Sequence, residues 1–193
     1  MVSEYYRRPI QPFLRDPPKN QARSAYAVEV NPWTTRGDVE AALLFRGTII
    51  SAHGEIDYRL SALCIKCSKI TEYAGVREQY PFSFPARIKF LRTIFQFGSL
   101  QRFEQLAMTV FQKIEGDFQF RNLVAHAHMQ VLPENWVTFQ DFPMSRGQEV
   151  TKRHEPMPLK ELERRAWKAA LRSRACQYLD SSLDQMGILP PLE

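Results

Sequence analysis

Cysteine is scarce in this chain, with Cys64, Cys67 and Cys176 the only three among 193 residues. An odd number at these spacings does not read as a disulfide framework. Cys64-Ile65-Lys66-Cys67 is a lone CxxC within an apolar helical stretch, and zinc would need two more ligands. His126 and His128 could supply them only where helices meet, so small core cysteines are the expectation. Long apolar runs are absent as well. No stretch approaches the roughly 20 residues needed to span a bilayer, and the opening Met1-Val2-Ser3-Glu4-Tyr5-Tyr6-Arg7-Arg8 lacks the apolar centre of a signal peptide. The expectation is a cytoplasmic protein with no membrane contact. There is no Gly-rich phosphate loop, Gly-x-Ser-x-Gly elbow, paired-carboxylate motif or internal repeat, so neither a metal nor another cofactor is implied.

Charge of one sign is also in short supply. The balance is 26 basic to 21 acidic side chains, a net +5. The excess is concentrated: Lys66 to Arg102 holds seven basic and two acidic residues, and Lys152 to Arg174 holds eight and three. Such patches fit solvated helix faces or a polyanion partner.

What is present suits a packed globule. Apolar residues make up 44% of the chain and aromatics 12%, and the length allows a real core. Residues 1–37 carry Pro9, Pro12, Pro17, Pro18 and Pro32 and read as an irregular arm, with a short strand at Ala25 to Val30. Its Tyr5, Tyr6, Phe13, Tyr26 and Trp33 suggest packing on a body or a partner chain. From Asp38, read as an N-cap, apolar residues recur at helical spacing through Leu44, Ala52, Ile56, Leu60, Leu63 and Cys67. A short helix is expected from Ala86 to Phe97. A third, from Leu100 to His128, is capped by Ser99 and weakened at Gly116-Asp117. Short strands follow around 129–132, 136–140 and 148–152, and a last helix runs from Pro158 to Met186. The fold class expected is all-α: a helical bundle of three long helices and one short helix, with a small β-ribbon inserted before the last helix, over residues 38–193.

Chemistry concentrates in Arg121-Asn122-Leu123-Val124-Ala125-His126. Arginine offers a fixed fork of donors to phosphate oxygens. Histidine can take and give a proton near neutral pH, and asparagine can orient either. Together they are a minimal set for splitting an RNA phosphodiester without metal. Five residues along an ideal helix turn through about 140°, so Arg121 and His126 do not stack on one face. A site shared between two copies of the helix, and hence a homodimer, removes that difficulty. The alternative is structural, with Arg121 tied to Glu55 or Asp117 and His126 a helix-end histidine. Glu55, beside the Ala52–Ile56 core row, could also orient Arg121. The aromatic ribbon around Trp136 and Phe139 could stack bases or pack on the bundle.

The R-N-x-x-x-H pattern late in a helix, after a long helix containing Phe45-Arg46-Gly47-Thr48-Ile49-Ile50-Ser51-Ala52-His53-Gly54-Glu55-Ile56-Asp57, resembles the HEPN superfamily. That resemblance implies a dimerising helical bundle and, in many members, a metal-independent ribonuclease of toxin–antitoxin, phage-defence or RNA-processing systems. It matches Arg121, Asn122 and His126 to the R-x4-6-H motif, with RNA as substrate and an antitoxin or nucleotidyltransferase as potential partner. HepT-like members continue the motif as H-x-Y with a modifiable tyrosine, and here His128 stands at that position. Some HEPN domains are non-catalytic, so a helical RNA- or protein-binding module is the alternative function.

Overall fold

The computed structural model describes residues 29–30, 33–76, 80–141, 144–145, 148–149 and 152–191. The fold is mainly helical, with a small sheet completed before the last helix. Most of the expected N-terminal arm lies outside the described residues. Its end forms strand β1 (Glu29–Val30), within the expected 25–30 stretch.

Helix α1 (Arg36–Ser68) starts earlier than the sequence suggests. Asp38 is not its N-cap. The Asp38 amide donates to the Thr35 hydroxyl at 3.2 Å, and that hydroxyl donates back to the Asp38 carboxylate at 2.7 Å. Thr35 therefore satisfies a free amide of the first turn, with the acid three residues on completing a reciprocal pair.

Helix α2 (Phe84–Ile94) also begins before its expected start. Ser83 accepts from the Ala86 amide, and Pro85 sits in the first turn, where its missing N–H costs nothing. The expected third long helix is three pieces. A 3-10 turn spans Gly98–Phe103, α3 spans Glu104–Glu115 and α4 spans Phe118–His126. Gly98, at φ +64°, is in the left-handed region, and a side chain there would run into the Glu72 carboxylate. The Glu72 carboxylate accepts from the Ser99 amide, and the Tyr73 hydroxyl accepts from Leu100. These contacts hold the start of the turn in place of a Ser99 cap. The second break falls at Gly116-Asp117, where the Asp117 amide donates to the Ile114 carbonyl in a tightened turn and the Asp117 side chain pairs with Arg172.

Strand β2 (His128–Leu132) runs antiparallel to β3 (Trp136–Asp141), with Val131 opposite Val137. Strands β4 (Met144–Ser145) and β5 (Gln148–Glu149) pair with each other. Strands β6 (Lys152–Arg153) and β7 (Met157–Pro158) both pair with β3, and β1 joins β2 in parallel. The three-residue reversal Pro133-Glu134-Asn135 uses left-handed backbone at Glu134 and Asn135. Helix α5 (Leu159–Gln185) ends the fold.

The chain divides into two compact units, one from Met1–Ile50 and Gln119–Lys168, the other from Ser51–Phe118 and Ala169–Glu193. In the first, Val124, Ala127, Met129, Val131, Val137 and Phe139 are buried, with Leu162 and Ala166 of α5. The second holds the larger apolar cluster, around Ile56, Leu60, Leu63, Leu91, Phe95, Phe111, Leu179 and Leu183. Cys64, Cys67 and Cys176 lie in this core, as the sequence predicts for small apolar cysteines. Burial pushes the Cys67 and Cys176 thiols up to about 12. Among the described residues, no helix is long and apolar enough to cross a membrane.

Candidate functional site

Helix α4 carries the polar motif at the heart of the first unit. Phe120, Leu123 and Val124 supply its packing positions, with Val124 fully buried. Phe120 meets Phe139 of β3 edge-to-face, with ring centroids 6.4 Å apart. On its other side the Arg165 guanidinium lies 4.1 Å from the Phe120 ring centroid. Thus β3 and the first turns of α5 together set the rotation of α4.

Arg121 is half-buried and donates from Nη1 to Oδ1 of Asn122 at 3.0 Å. Among the described residues no carboxylate pairs with Arg121. His126 is the last residue of α4 and is exposed. His128 is exposed at the start of β2, opposite Gln140. The motif therefore remains helical from Arg121 to His126, and the 140° between its ends stands. No hydrogen bond joins the two side chains.

The proposed structural ties of Arg121 are occupied by other residues. Glu55, in the second unit, accepts from Arg59 at 2.7 Å, and Arg59 also reaches Asp180 at 3.0 Å. Asp117 is taken by Arg172. His53 is buried in α1.

One residue of the site has no obvious sequence signal. Arg46 of α1 donates from Nε to the Val124 carbonyl at 2.9 Å and from Nη2 to the Ala127 carbonyl at 3.1 Å. These two carbonyls flank His126 at the helix end, where backbone acceptors lack helical partners and a cation is favoured. Burial pulls the Arg46 guanidinium below the usual arginine range. Read along α1, Arg46 is one more charged helix residue. Only its acceptors, 78 and 81 residues away, show that it anchors the backbone around His126.

The arrangement can present a cation and an imidazole on different sides of one short, well-anchored helix. Among the described residues, no group of three or more His, Cys, Asp or Glu side chains could hold a metal ion. No protein-family model, curated protein or solved structure matches the chain.

Proposed function

We propose that this protein is a HEPN-type, metal-independent endoribonuclease that works as a homodimer through a composite site. The observation that carries the reading is α4 itself: Arg121, paired with the neutral Asn122 and, among the described residues, with no acid, shares a short helix with the exposed His126. A half-buried guanidinium without a carboxylate keeps its charge for an incoming phosphate. The 2′-hydroxyl of one nucleotide attacks the adjacent phosphorus, and the bond to the 5′-oxygen breaks. The products are a 2′,3′-cyclic phosphate and a 5′-hydroxyl. His126 takes the 2′-hydroxyl proton while water protonates the departing oxygen, or it protonates the departing oxygen while water takes the 2′-hydroxyl proton, and Arg121 stabilises the charge growing on the phosphoryl oxygens. His126 of one copy then works with Arg121 of the other. A toxin, defence or RNA-processing role, in the company of an antitoxin or nucleotidyltransferase, belongs to the same proposal.

Incubation with labelled RNA in excess chelator tests it. Cleavage should survive chelation and fall about 10²- to 10⁴-fold in His126→Ala and in Arg121→Ala. Mixing the two inactive variants is the sharper measurement. With random exchange, half the dimers are mixed and one site in each is intact, so about a quarter of the wild-type rate should return. No recovery sinks the composite site, and full activity in His126→Ala sinks the chemistry. RNA binding without cleavage by the wild type would instead support the non-catalytic module.

A further inference from the structure

Helix α5 opens with an unusual solvent face. Between Leu159 and Lys168 the exposed positions are Lys160, Arg164, Trp167 and Lys168. They lie within an arc of about 100° on the helix. The two carboxylates of the stretch, Glu161 and Glu163, are half-buried beside that face. Glu161 is already engaged, accepting from Arg164 at 2.5 and 2.6 Å and from Arg165 at 2.8 Å. The hydrogen bonds from Arg164 hold its carboxyl down at about 2, so it stays ionised and paired. Trp167 leaves 62% of its surface in water. It borders an open hollow of about 560 Å³ whose other walls are Pro158, Lys160, Glu161, Glu163 and Arg164. An indole exposed this far has no packing explanation within its own unit, unlike the buried Leu162 and Ala166 beside it.

We infer that this hollow is a nucleotide subsite for single-stranded RNA, in which a base stacks on Trp167 and Lys160 and Lys168 attract the neighbouring phosphates. The inference rests on the ribonuclease reading and adds where the strand is held. Charge favours RNA: the exposed charged side chains of this face, Lys160, Arg164 and Lys168, are all cationic, and of these Lys160 and Lys168 are not engaged by Glu161. Stacking on an aromatic face tolerates every base. The subsite is also tied to the motif, because Arg165 of the same helical turns packs on Phe120, the residue before Arg121.

The test uses Trp33→Phe/Trp136→Phe protein, in which Trp167 is the sole indole, titrated with a 12-nucleotide polyuridine RNA in chelator. Trp167 fluorescence should be quenched on binding, and raising salt should weaken the binding. Trp167→Ala in the wild-type background should weaken binding about 5- to 150-fold, while Trp167→Phe should retain most of it. Lys160→Ala/Lys168→Ala should flatten the salt dependence by about 1.4 in log–log slope. If RNA is cleaved in a His126-dependent way but Trp167 fluorescence is unmoved, the subsite is wrong and the ribonuclease reading stands. If neither binding nor cleavage is seen, both fall together. Trp167 fluorescence that changes with protein concentration alone would assign this face to a second copy of the chain and overturn the RNA subsite.

Discussion

In the second unit buried or half-buried cations meet acids; on α4 in the first, Arg121 meets an amide. Lys66 is only 5% exposed, yet its ammonium lies 2.6 Å from Asp184 and 3.1 Å from Asp180. Arg59 reaches the same Asp180. Arg87 pairs with Asp57, and Arg172 with Asp117. These charges are consumed internally, most deeply where Lys66 and Asp180 meet, both nearly out of water. Arg121 spends one donor on Asn122 and, among the described residues, meets no acid. The contrast separates two uses of the same residue type. A cation whose carboxylate is built into the chain supports the fold, whereas one left with a neutral neighbour is available to an external anion.

The largest effect expected from this contrast is a split between stability and activity. Lys66→Ala should lower unfolding free energy by about 1.5–3 kcal/mol, read from urea transitions, because the buried Asp180 loses one of its two cationic partners and keeps only Arg59. Arg121→Ala should shift stability by only about 0.5 kcal/mol while lowering RNA cleavage by about 10²- to 10⁴-fold. Equal destabilisation by the two substitutions would break the comparison. The Lys66 effect also has a pH signature. Burial pulls its ammonium down, but the hydrogen bonds to Asp184 and Asp180 outweigh this and hold it above the usual 10.5. A raised pKa means that the contribution is complete below pH 10.5 and disappears as pH climbs through the folded-state value. The advantage of the wild type over Lys66→Ala should therefore narrow only in the strongly alkaline range.

A smaller effect is expected at the helix end that bears His126. Arg46→Ala removes donors from the Val124 and Ala127 carbonyls and should cost about 1.5–3 kcal/mol. Faster amide exchange confined to α4 and the start of β2 would confirm the local anchor, and unchanged exchange there would refute it. The smallest is at the start of α1, where Thr35→Ala should cost about 1 kcal/mol through loss of the cap. Asp38→Ala should cost less, since it leaves the Thr35 hydroxyl in place to accept the amide. The reverse order would restore Asp38 as the cap.

Much of the helical content was legible because it is written locally. The α5 stretch announces itself by Leu159, Leu162, Ala166, Ala169, Leu179 and Leu183 at helical spacing, closed by Gly187 and two prolines. The weakness at Gly116-Asp117 was visible too, although residue type alone did not say whether it kinks or ends the helix. The parallel partner of β1 was not legible. Two residues of strand carry no mark of the neighbour they will choose. The start of α1 was misplaced because Asp38 and Thr35 are both good caps by type, and only the hydrogen-bond geometry chooses between them.

Arg121, Asn122 and His126 were legible as a group because three polar residues interrupt an apolar helix at fixed spacing. The sequence alone determined that group, the angle between its ends and the mainly helical character of the chain, since each follows from residue type and a short repeat. Only the tertiary structure decided which cations are neutralised inside the protein, that Arg46 anchors the backbone around His126, and that Trp167 stands in water beside a hollow. Those facts depend on residues distant in sequence, and a charge shows no sign of its partner until the chain has brought the two together.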